Sequence, residues 1–332
     1  MQLRTLGRNG PKVSAIGLGC MGMSDMYGAS DRVESIATLH AALDAGITLL
    51  DTGDFYGMGH NEMLLGEALA GRSRDSYQLS VKFGAQRGPD GSWLGYDARP
   101  AAVKTALAYS LKRLRTDYID IYRPARLDPN VPIEDTAGAI ADLVKAGYVR
   151  AFGLSEMGVA TIRRAQAVLP VADLQIEYSL ISRGIEAAIL PACRDLGIGI
   201  TAYGVLSRGL ISGHWSPQRS TDARDFRTHS PRFQGPNLDH NLALVEQLRA
   251  IAEARGISVA QLAIAWVLAR GDDIVPLIGA RTHARLREAL GAVDVTLSAD
   301  ELAAIERAVP PGAAAGERYS TQGMASLDSE HG

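Results

Sequence analysis

Hydrophobic positions along this chain recur with two periods in alternation. Short apolar runs give way to longer stretches in which apolar residues return every three or four positions, the spacing of one helix face. The pattern predicts a strand over Ala15–Gly19 and a helix over Asp31–Ala45, with Val33, Ile36, Leu39 and Leu43 on one side. Ser30 and Asp31 can cap that helix, Glu34 follows three residues after Asp31, and Gly46 can end it. Further strands are predicted at Ile47–Asp51, Gln78–Lys82, Tyr118–Tyr122, Val149–Leu154, Leu174–Glu177, Ile198–Tyr203 and Ile274–Leu277. Helices are predicted at Glu62–Ala70, Ala101–Leu114, Ile133–Ala146, Ala160–Val168 and Ile185–Leu196, the last expected to kink at Pro191. Four more are predicted at Leu242–Arg255, Ser258–Ala269, Ala284–Leu290 and Ala299–Ala308. Leu206–Asp239 has no clear period and is rich in Ser, Arg, Gly and Pro, as long functional loops often are.

Eight strands, each followed by helix, predict a parallel sheet, because parallel strands need crossover connections. Eight such units close into a barrel. The expected architecture is α/β, a single (β/α)8 TIM barrel over residues 1–332. Within it, 206–239 reads as a long cofactor or substrate loop. The tail, 311–332, is rich in Ala, Gly and Ser and is expected either to pack over the barrel or to fray.

Composition narrows the function classes. Of 332 residues, 46% are hydrophobic and 21% charged, enough apolar content to exclude disorder as the main state. A net charge of −3 leaves no basic excess for phosphates, so nucleic acid is not the expected partner. Two cysteines, Cys20 and Cys193, are too few for a disulfide framework and read as buried thiols. Met1–Thr5 lacks the apolar core of a signal peptide, and the longest apolar run, Leu262–Ala269, falls short of the ~20 residues of a membrane span. A cytoplasmic protein without a membrane partner is expected. The composition fits a monomer or a symmetric oligomer equally.

Gly17-Leu18-Gly19-Cys20-Met21-Gly22 matches the dinucleotide-binding G-x-G-x-x-G pattern. That motif needs a helix to open at once, yet Met23–Ala29 intervenes, and the next strand-ending acid, Asp51, lies too far along. The segment reads instead as a barrel strand whose glycines let its carboxyl end approach a ligand closely.

In such barrels the reactive groups sit at the carboxyl ends of strands. Asp51 ends the second strand, Lys82 the third and Tyr203 the seventh, with Tyr56 in the loop after Asp51. A tyrosine is a poor proton donor near its usual pKa of about 10, and an adjacent ammonium is expected to lower that value. A carboxylate behind the lysine would hold it charged and in place, so that Tyr56 could protonate an oxygen on which charge develops.

These residues resemble the aldo-keto reductases, (β/α)8 reductases that use a nicotinamide cofactor, over about Leu6 to Ser329. The resemblance is carried by Asp51-Thr52-Gly53-Asp54-Phe55-Tyr56-Gly57, by Asn61-Glu62 with Leu65-Gly66-Glu67-Ala68-Leu69, and by Val81-Lys82. It continues through Thr116-Asp117-Tyr118-Ile119-Asp120, Val149 to Ser155, and Tyr203 to Gly209. Gly59-His60-Asn61-Glu62 is similar to the bacterial and plant branch, with His60 expected to anchor its loop.

The resemblance implies that Asp51, Tyr56 and Lys82 are three members of a catalytic tetrad. The fourth, a His in a Tyr-x-x-His-Arg-x-Asp pattern, falls on Ala125 in Tyr122-Arg123-Pro124-Ala125-Arg126-Leu127-Asp128. A methyl group donates no hydrogen bond. Three readings stand: Arg123 or Arg126 swings in as donor, Tyr56 carries the oxygen alone with water in the vacated space, or activity is weak or specialised. An arginine there would favour anionic or strongly polarised substrates.

For the cofactor, the resemblance implies that Ser155 and Gln175 hold the nicotinamide carboxamide and that Tyr203 stacks on the ring. Leu206, Arg208 and Gly209 would wrap the pyrophosphate, with Met21 also in the cofactor set. Gly279, Arg281 and Arg285 would surround the adenosine 2′-phosphate, which favours NADPH over NADH, and Glu288 would lie by the adenine amine. Ala289 replaces the family's usual Asn. Trp93, Arg123, Ala125 and Arg126 are the substrate-side candidates, and Trp215, Phe226 and Phe233 could join Trp93 in an apolar pocket. The expected function is NADPH-dependent interconversion of small aldehydes or ketones with alcohols, Tyr56 giving the proton. The alternative is a cofactor-binding regulatory or partner-binding protein, its surface on the 206–239 loop.

Overall fold

A computed structural model describes residues 1–24, 26–216 and 225–331. Parts of the 206–239 loop (217–224), one residue of the Met23–Ala29 stretch and the last residue of the tail lie outside the described residues. Eight parallel strands close a barrel in chain order: β1 Gly17–Gly19, β2 Leu49–Gly53, β3 Gln78–Phe83, β4 Ile119–Pro124, β5 Val149–Ser155, β6 Val171–Glu177, β7 Gly199–Tyr203 and β8 Ile274–Ile278, which pairs back with β1. The helices between them are α1 Arg32–Asp44, α2 His60–Ala68, α3 Pro100–Leu114, α4 Ile133–Lys145, α5 Val159–Val168 and α6 Ile189–Leu196. α7 Gly235–Arg255 and α8 Val259–Leu268 precede β8, and α9 His283–Leu290, α10 Ala299–Ala308 and α11 Thr321–Ala325 follow it. The fold is the (β/α)8 TIM barrel that the alternation predicts. Among the described residues no single helix is long and apolar enough to cross a membrane.

Apolar residues divide between two cores. The larger lies between strands and helices and holds Leu18, Leu39, Leu50, Leu79, Val81, Phe152, Leu174 and the fully buried Trp266. The smaller fills the bottom of the barrel with Leu49, Ile121, Val275 and Leu277, and a hairpin of Leu3–Thr5 with Lys12–Ser14 caps it through Leu6 and Val13. That hairpin, and a second joining Ala85–Arg87 to Trp93–Tyr96, are too short to register in the apolar period.

Several boundaries differ from the sequence expectation. Ile185–Leu196 is a 3-10 turn, Gly184–Glu186, followed by α6, and Pro191 sits in the first turn of α6, where no intrahelical N–H is lost and no kink follows. α7 starts at Gly235 rather than Leu242, because Pro236 can open a helix whose first turn carries no apolar face. The loop before it contains the 3-10 turns Ser207–Ser212, Phe226–His229 and Pro231–Phe233.

β1 ends in a 3-10 turn, Met21–Met23, and α1 opens only at Arg32, so no dinucleotide turn exists here. Gly17 instead serves packing: a Cβ there would come within 2.7 Å of Leu277 and 3.0 Å of Leu49. At Gly19 a Cβ would meet only the Ile278 carbonyl oxygen, at 3.6 Å, so packing within the protein does not require that glycine.

Candidate active site

Alternation along the strands turns every second residue into the barrel. β2 thereby contributes Asp51, β3 Ser80 and Lys82, β6 Asp173, Gln175 and Glu177, and β7 Thr201 and Tyr203. Register levels them: Gly19 pairs with Asp51, Gly53 with Lys82, Lys82 with Arg123, Gln175 with Ser155 and Glu177 with Tyr203. Lys82 Nζ donates to Asp51 Oδ1 at 2.5 Å and to Gln175 Oε1 at 2.9 Å. Asp51 Oδ2 accepts from Ser80 Oγ at 2.8 Å and from Gln175 Nε2 at 2.7 Å. Asp51 and Lys82 are each only 4% exposed, so neither charge is solvated and each depends on this network. Burial lowers the Lys82 ammonium below its ordinary range, against the opposing pull of Asp51.

Tyr56 opens the loop after β2. Its 3-10 turn, Tyr56–Gly59, contains Gly57 and Met58 in left-handed backbone (φ 57° and 51°). The sequence Gly59-His60-Asn61-Glu62 fixes that strained loop. His60 Nδ1 lies 2.9 Å from Ser24 Oγ, Asn61 Nδ2 donates to the Cys20 carbonyl and to Ser24 Oγ at 2.8 Å each, and Asn61 Oδ1 accepts from Thr52 at 2.7 Å. Buried Glu62 pairs with Arg113 of α3. Phe55 packs edge-on against Tyr56 at 4.7 Å, and Lys82 Nζ sits 5.2 Å from the Tyr56 ring centroid. Among the described residues the Tyr56 hydroxyl has no hydrogen-bond partner of its own. Its pKa is not lowered, contrary to the sequence expectation. Burial pushes it well above the ordinary value, Asp51 adds to the rise, and Arg126 opposes it.

Arg123, in β4, and Arg126, just after it, part company. Arg123 faces the barrel interior, wholly buried, with Nη2 at 3.1 Å from Asp173 Oδ2 and 3.0 Å from Ser80 Oγ. It cannot also reach a substrate at the mouth, which corrects its place among the substrate candidates. Arg126 lies at the mouth, half-buried, with Nη1 donating to the Ala125 carbonyl at 2.6 Å and to Ser155 Oγ at 3.3 Å. Ala125 is buried between them.

The residues singled out for the cofactor fall into two groups. Ser155, Gln175, Tyr203, Leu206, Arg208 and Gly209 gather at the carboxyl ends of β5, β6 and β7 and in the turn after β7. Ser207, Arg208 and Gly209 all have positive φ (45°, 59° and 94°). Arg281, Arg285 and Glu288 lie in and before α9: Arg281 Nη1 donates to the Gly28 and Ala29 carbonyls, and Arg285 pairs at 3.0 Å with Glu288, which His214 also meets at 2.9 Å. Met21 is half-buried on the turn after β1, and Gly279 follows β8. The aromatic candidates pack mainly on loop neighbours: Trp93 on Tyr96 and Arg87, Trp215 on Phe233 and Arg227. Among the described residues no group of three His, Cys, Asp or Glu side chains could hold a metal ion.

Sequence reasoning missed the tail's part in this site. Arg318 donates to both oxygens of buried Glu156 (3.1 and 2.9 Å), to Glu177 at 3.3 Å and to Glu330 at 2.6 Å. Tyr319 places its hydroxyl 2.7 Å from that of Tyr203, whose hydroxyl also donates to Glu156 Oε1 at 2.7 Å. Asp328 accepts from the Gly158 amide at the start of α5, and Ser329 donates to Glu156. The tail therefore packs over the barrel mouth. The one available signal was an Arg-Tyr pair in an otherwise small-residue segment.

Relatives carry the same architecture. Residues 15–310 match the aldo/keto reductase family. The chain is 42% identical over 317 residues to a probable aldo-keto reductase 1 of Glycine max, covering 95% of this chain and 90% of that one. The glycerol dehydrogenase of Gluconobacter oxydans superposes with a TM-score of 0.83 at 31% identity, over 92% of this chain and 94% of its own. An aldo-keto reductase of Klebsiella pneumoniae solved with NADPH superposes at 0.73, with 29% identity over 93% and 96%. With the family match across nearly the whole barrel and the Asp51–Lys82 pair beside Tyr56 at its mouth, the chain belongs to the aldo/keto reductase family.

Proposed function

We propose that this protein is an NADPH-dependent oxidoreductase that interconverts small carbonyl compounds and alcohols. The observation that carries the reading is Tyr56, its hydroxyl without another partner among the described residues, beside the buried Lys82–Asp51 pair. A phenol whose pKa burial has raised keeps its proton through neutral pH and so holds the proton it is to give. When charge develops on a carbonyl oxygen, that proton moves from the Tyr56 hydroxyl to the oxygen, and the phenolate left behind faces the Lys82 ammonium. Ser80 and Gln175 keep Asp51 oriented against Lys82.

The residues present fit a dinucleotide. Among the described residues Ser207 Oγ and Arg208 Nη1 are buried without a partner, next to a left-handed turn whose backbone can follow a phosphate. Arg208 and Gly209 would hold the pyrophosphate, Tyr203 the ring, Ser155 the carboxamide, and Arg281 and Arg285 the 2′-phosphate. When bound, the nicotinamide supplies the hydride, which is chemistry that no side chain here can supply.

The test follows NADPH oxidation with 4-nitrobenzaldehyde for the wild type and Tyr56→Phe. Loss of a positioned general acid is expected to cost about 10²–10⁴-fold in kcat. Equal rates in the two proteins would refute Tyr56 as the donor. No turnover by a folded, cofactor-binding wild type across a broad carbonyl and alcohol panel would refute the reading itself.

A further inference from the structure

Most of the buried cations around the barrel mouth stand against a carboxylate. Lys82 has Asp51, Arg123 has Asp173, Arg208 and Arg232 share Glu177, Arg227 has Asp225, and Arg318 has Glu156. Arg126 has no carboxylate partner among the described residues. Its Nη1 is committed to the Ala125 carbonyl and to Ser155 Oγ, which leaves the Nε–Nη2 edge of the guanidinium without a protein acceptor. That edge is a planar fork whose two parallel N–H groups match the two oxygens of a carboxylate. Arg126 Nη1 reaches Ser155 Oγ, which ends β5, so the fork lies at the barrel mouth on the rim that also carries Lys82, Gln175 and Tyr203.

We propose that Arg126 is a substrate-anion clamp and that the substrates carry a carboxylate next to the reacting carbonyl: 2-oxo acids, reduced to 2-hydroxy acids. The assignment rests on the oxidoreductase reading above. Ala125 brings no hydrogen-bonding group to this part of the mouth, and a half-buried cation with no ion pair among the described residues gains from an anionic ligand. The carboxylate is unchanged in the reaction. Hydride supplied by the cofactor forms a C–H bond at the carbonyl carbon, and the C=O π pair passes to oxygen. The Tyr56 proton completes the hydroxyl, and solvent returns a proton to Tyr56.

The test compares phenylglyoxylate with its neutral primary amide, with 4-nitrobenzaldehyde as a third substrate. Wild-type kcat/KM is expected to favour the acid over the amide by about 100-fold, mostly through KM, the size of a charge-assisted hydrogen-bonded pair. In Arg126→Gln that preference collapses, and Arg126→Lys restores part of it. Calorimetric titration of the cofactor-loaded protein with oxamate, which does not react, gives a readout without turnover: wild type binds it and Arg126→Gln binds it at least tenfold more weakly. Turnover of the aldehyde with no preference for the acid overturns the clamp and leaves the oxidoreductase reading standing, as does oxamate binding unchanged by Arg126→Gln. A wild type that turns over none of the three while binding cofactor overturns both.

Discussion

The Tyr319 hydroxyl lies 2.7 Å from the Tyr203 hydroxyl across 116 positions of sequence. Tyr203 sits at the carboxyl end of β7 and Tyr319 in the tail, so the contact exists only because the tail crosses the mouth. Arg318 holds it there, through Glu156 and Glu177.

Arg318 should therefore be the residue whose loss most damages the mouth. Arg318→Met leaves buried Glu156 without its ion-pair partner and takes one of three cations from Glu177, a change that costs about 3–5 kcal/mol when a buried pair is broken. Urea unfolding at pH 7 measures it. The pH dependence carries a second signature. Burial alone would raise the Glu156 pKa, but Arg318 overrides it and holds the carboxyl at about 2 against an ordinary 4.5. Stability from this group is complete above about 4.5 and fades as pH falls toward 2, so the wild type should lose stability over that window. Arg318→Met, with little of that advantage left to lose, should show a flatter acid limb.

Asp54 should act in the opposite sense. Burial, with Glu62 adding like charge, pushes its pKa up to about 7 from 3.8. Between those values the unfolded chain is ionised while the folded one keeps its proton. Stability from this group therefore falls as pH rises from about 4 to 7 and stays reduced above that. Asp54→Asn removes the penalty. The expected result is a Tm gain at pH 8 that shrinks toward zero at pH 4, read by thermal unfolding across that range.

Much of this site was legible because strand ends carry it. Asp51, Lys82 and Tyr203 close apolar runs whose period marks the strands, and the resemblance tied Tyr56 to them. The depth of Arg123 was not legible. It depends on the Lys82–Arg123 register, which barrel closure sets and local pattern does not. The Pro191 kink failed because periodicity does not say where a helix begins. For the tail, packing over the barrel was one of two outcomes left open, but the residues that hold it were not legible: Arg318 and Tyr319 find partners more than a hundred residues away, and the small residues around them have no period.

Arg281 and Arg285 should decide cofactor choice. Arg281 already spends Nη1 on the Gly28 and Ala29 carbonyls, whereas Arg285 pairs with Glu288 and is exposed. Losing one charge-assisted contact to a 2′-phosphate is expected to raise KM for NADPH by about tenfold and leave KM for NADH nearly unchanged. Arg285→Ala and Arg281→Ala, assayed with both cofactors, test this. Equal effects on the two would exclude a 2′-phosphate contact.

The pair Arg123–Asp173 supports the catalytic layer from below. Arg123 Nη2 donates to Ser80 Oγ, and Ser80 donates to Asp51. A cation beneath an ammonium also disfavours the ammonium, and Arg123 is among the groups that lower the Lys82 pKa, after burial. Removing only one partner strands a wholly buried charge, so Arg123→Met and Asp173→Leu should each cost about 3–5 kcal/mol. Replacing both with apolar residues that fill the space should restore most of that loss, because the desolvation of both ions disappears together. A double-mutant cycle in urea reads the coupling. The double variant also isolates the electrostatic effect on catalysis. With Arg123 gone, Lys82 is freed of a like charge and its pKa should rise. The alkaline limb of the pH–kcat profile should then move to higher pH, in a protein nearly as stable as the wild type. A stable double variant with an unshifted limb would show that Arg123 serves only the packing of the barrel.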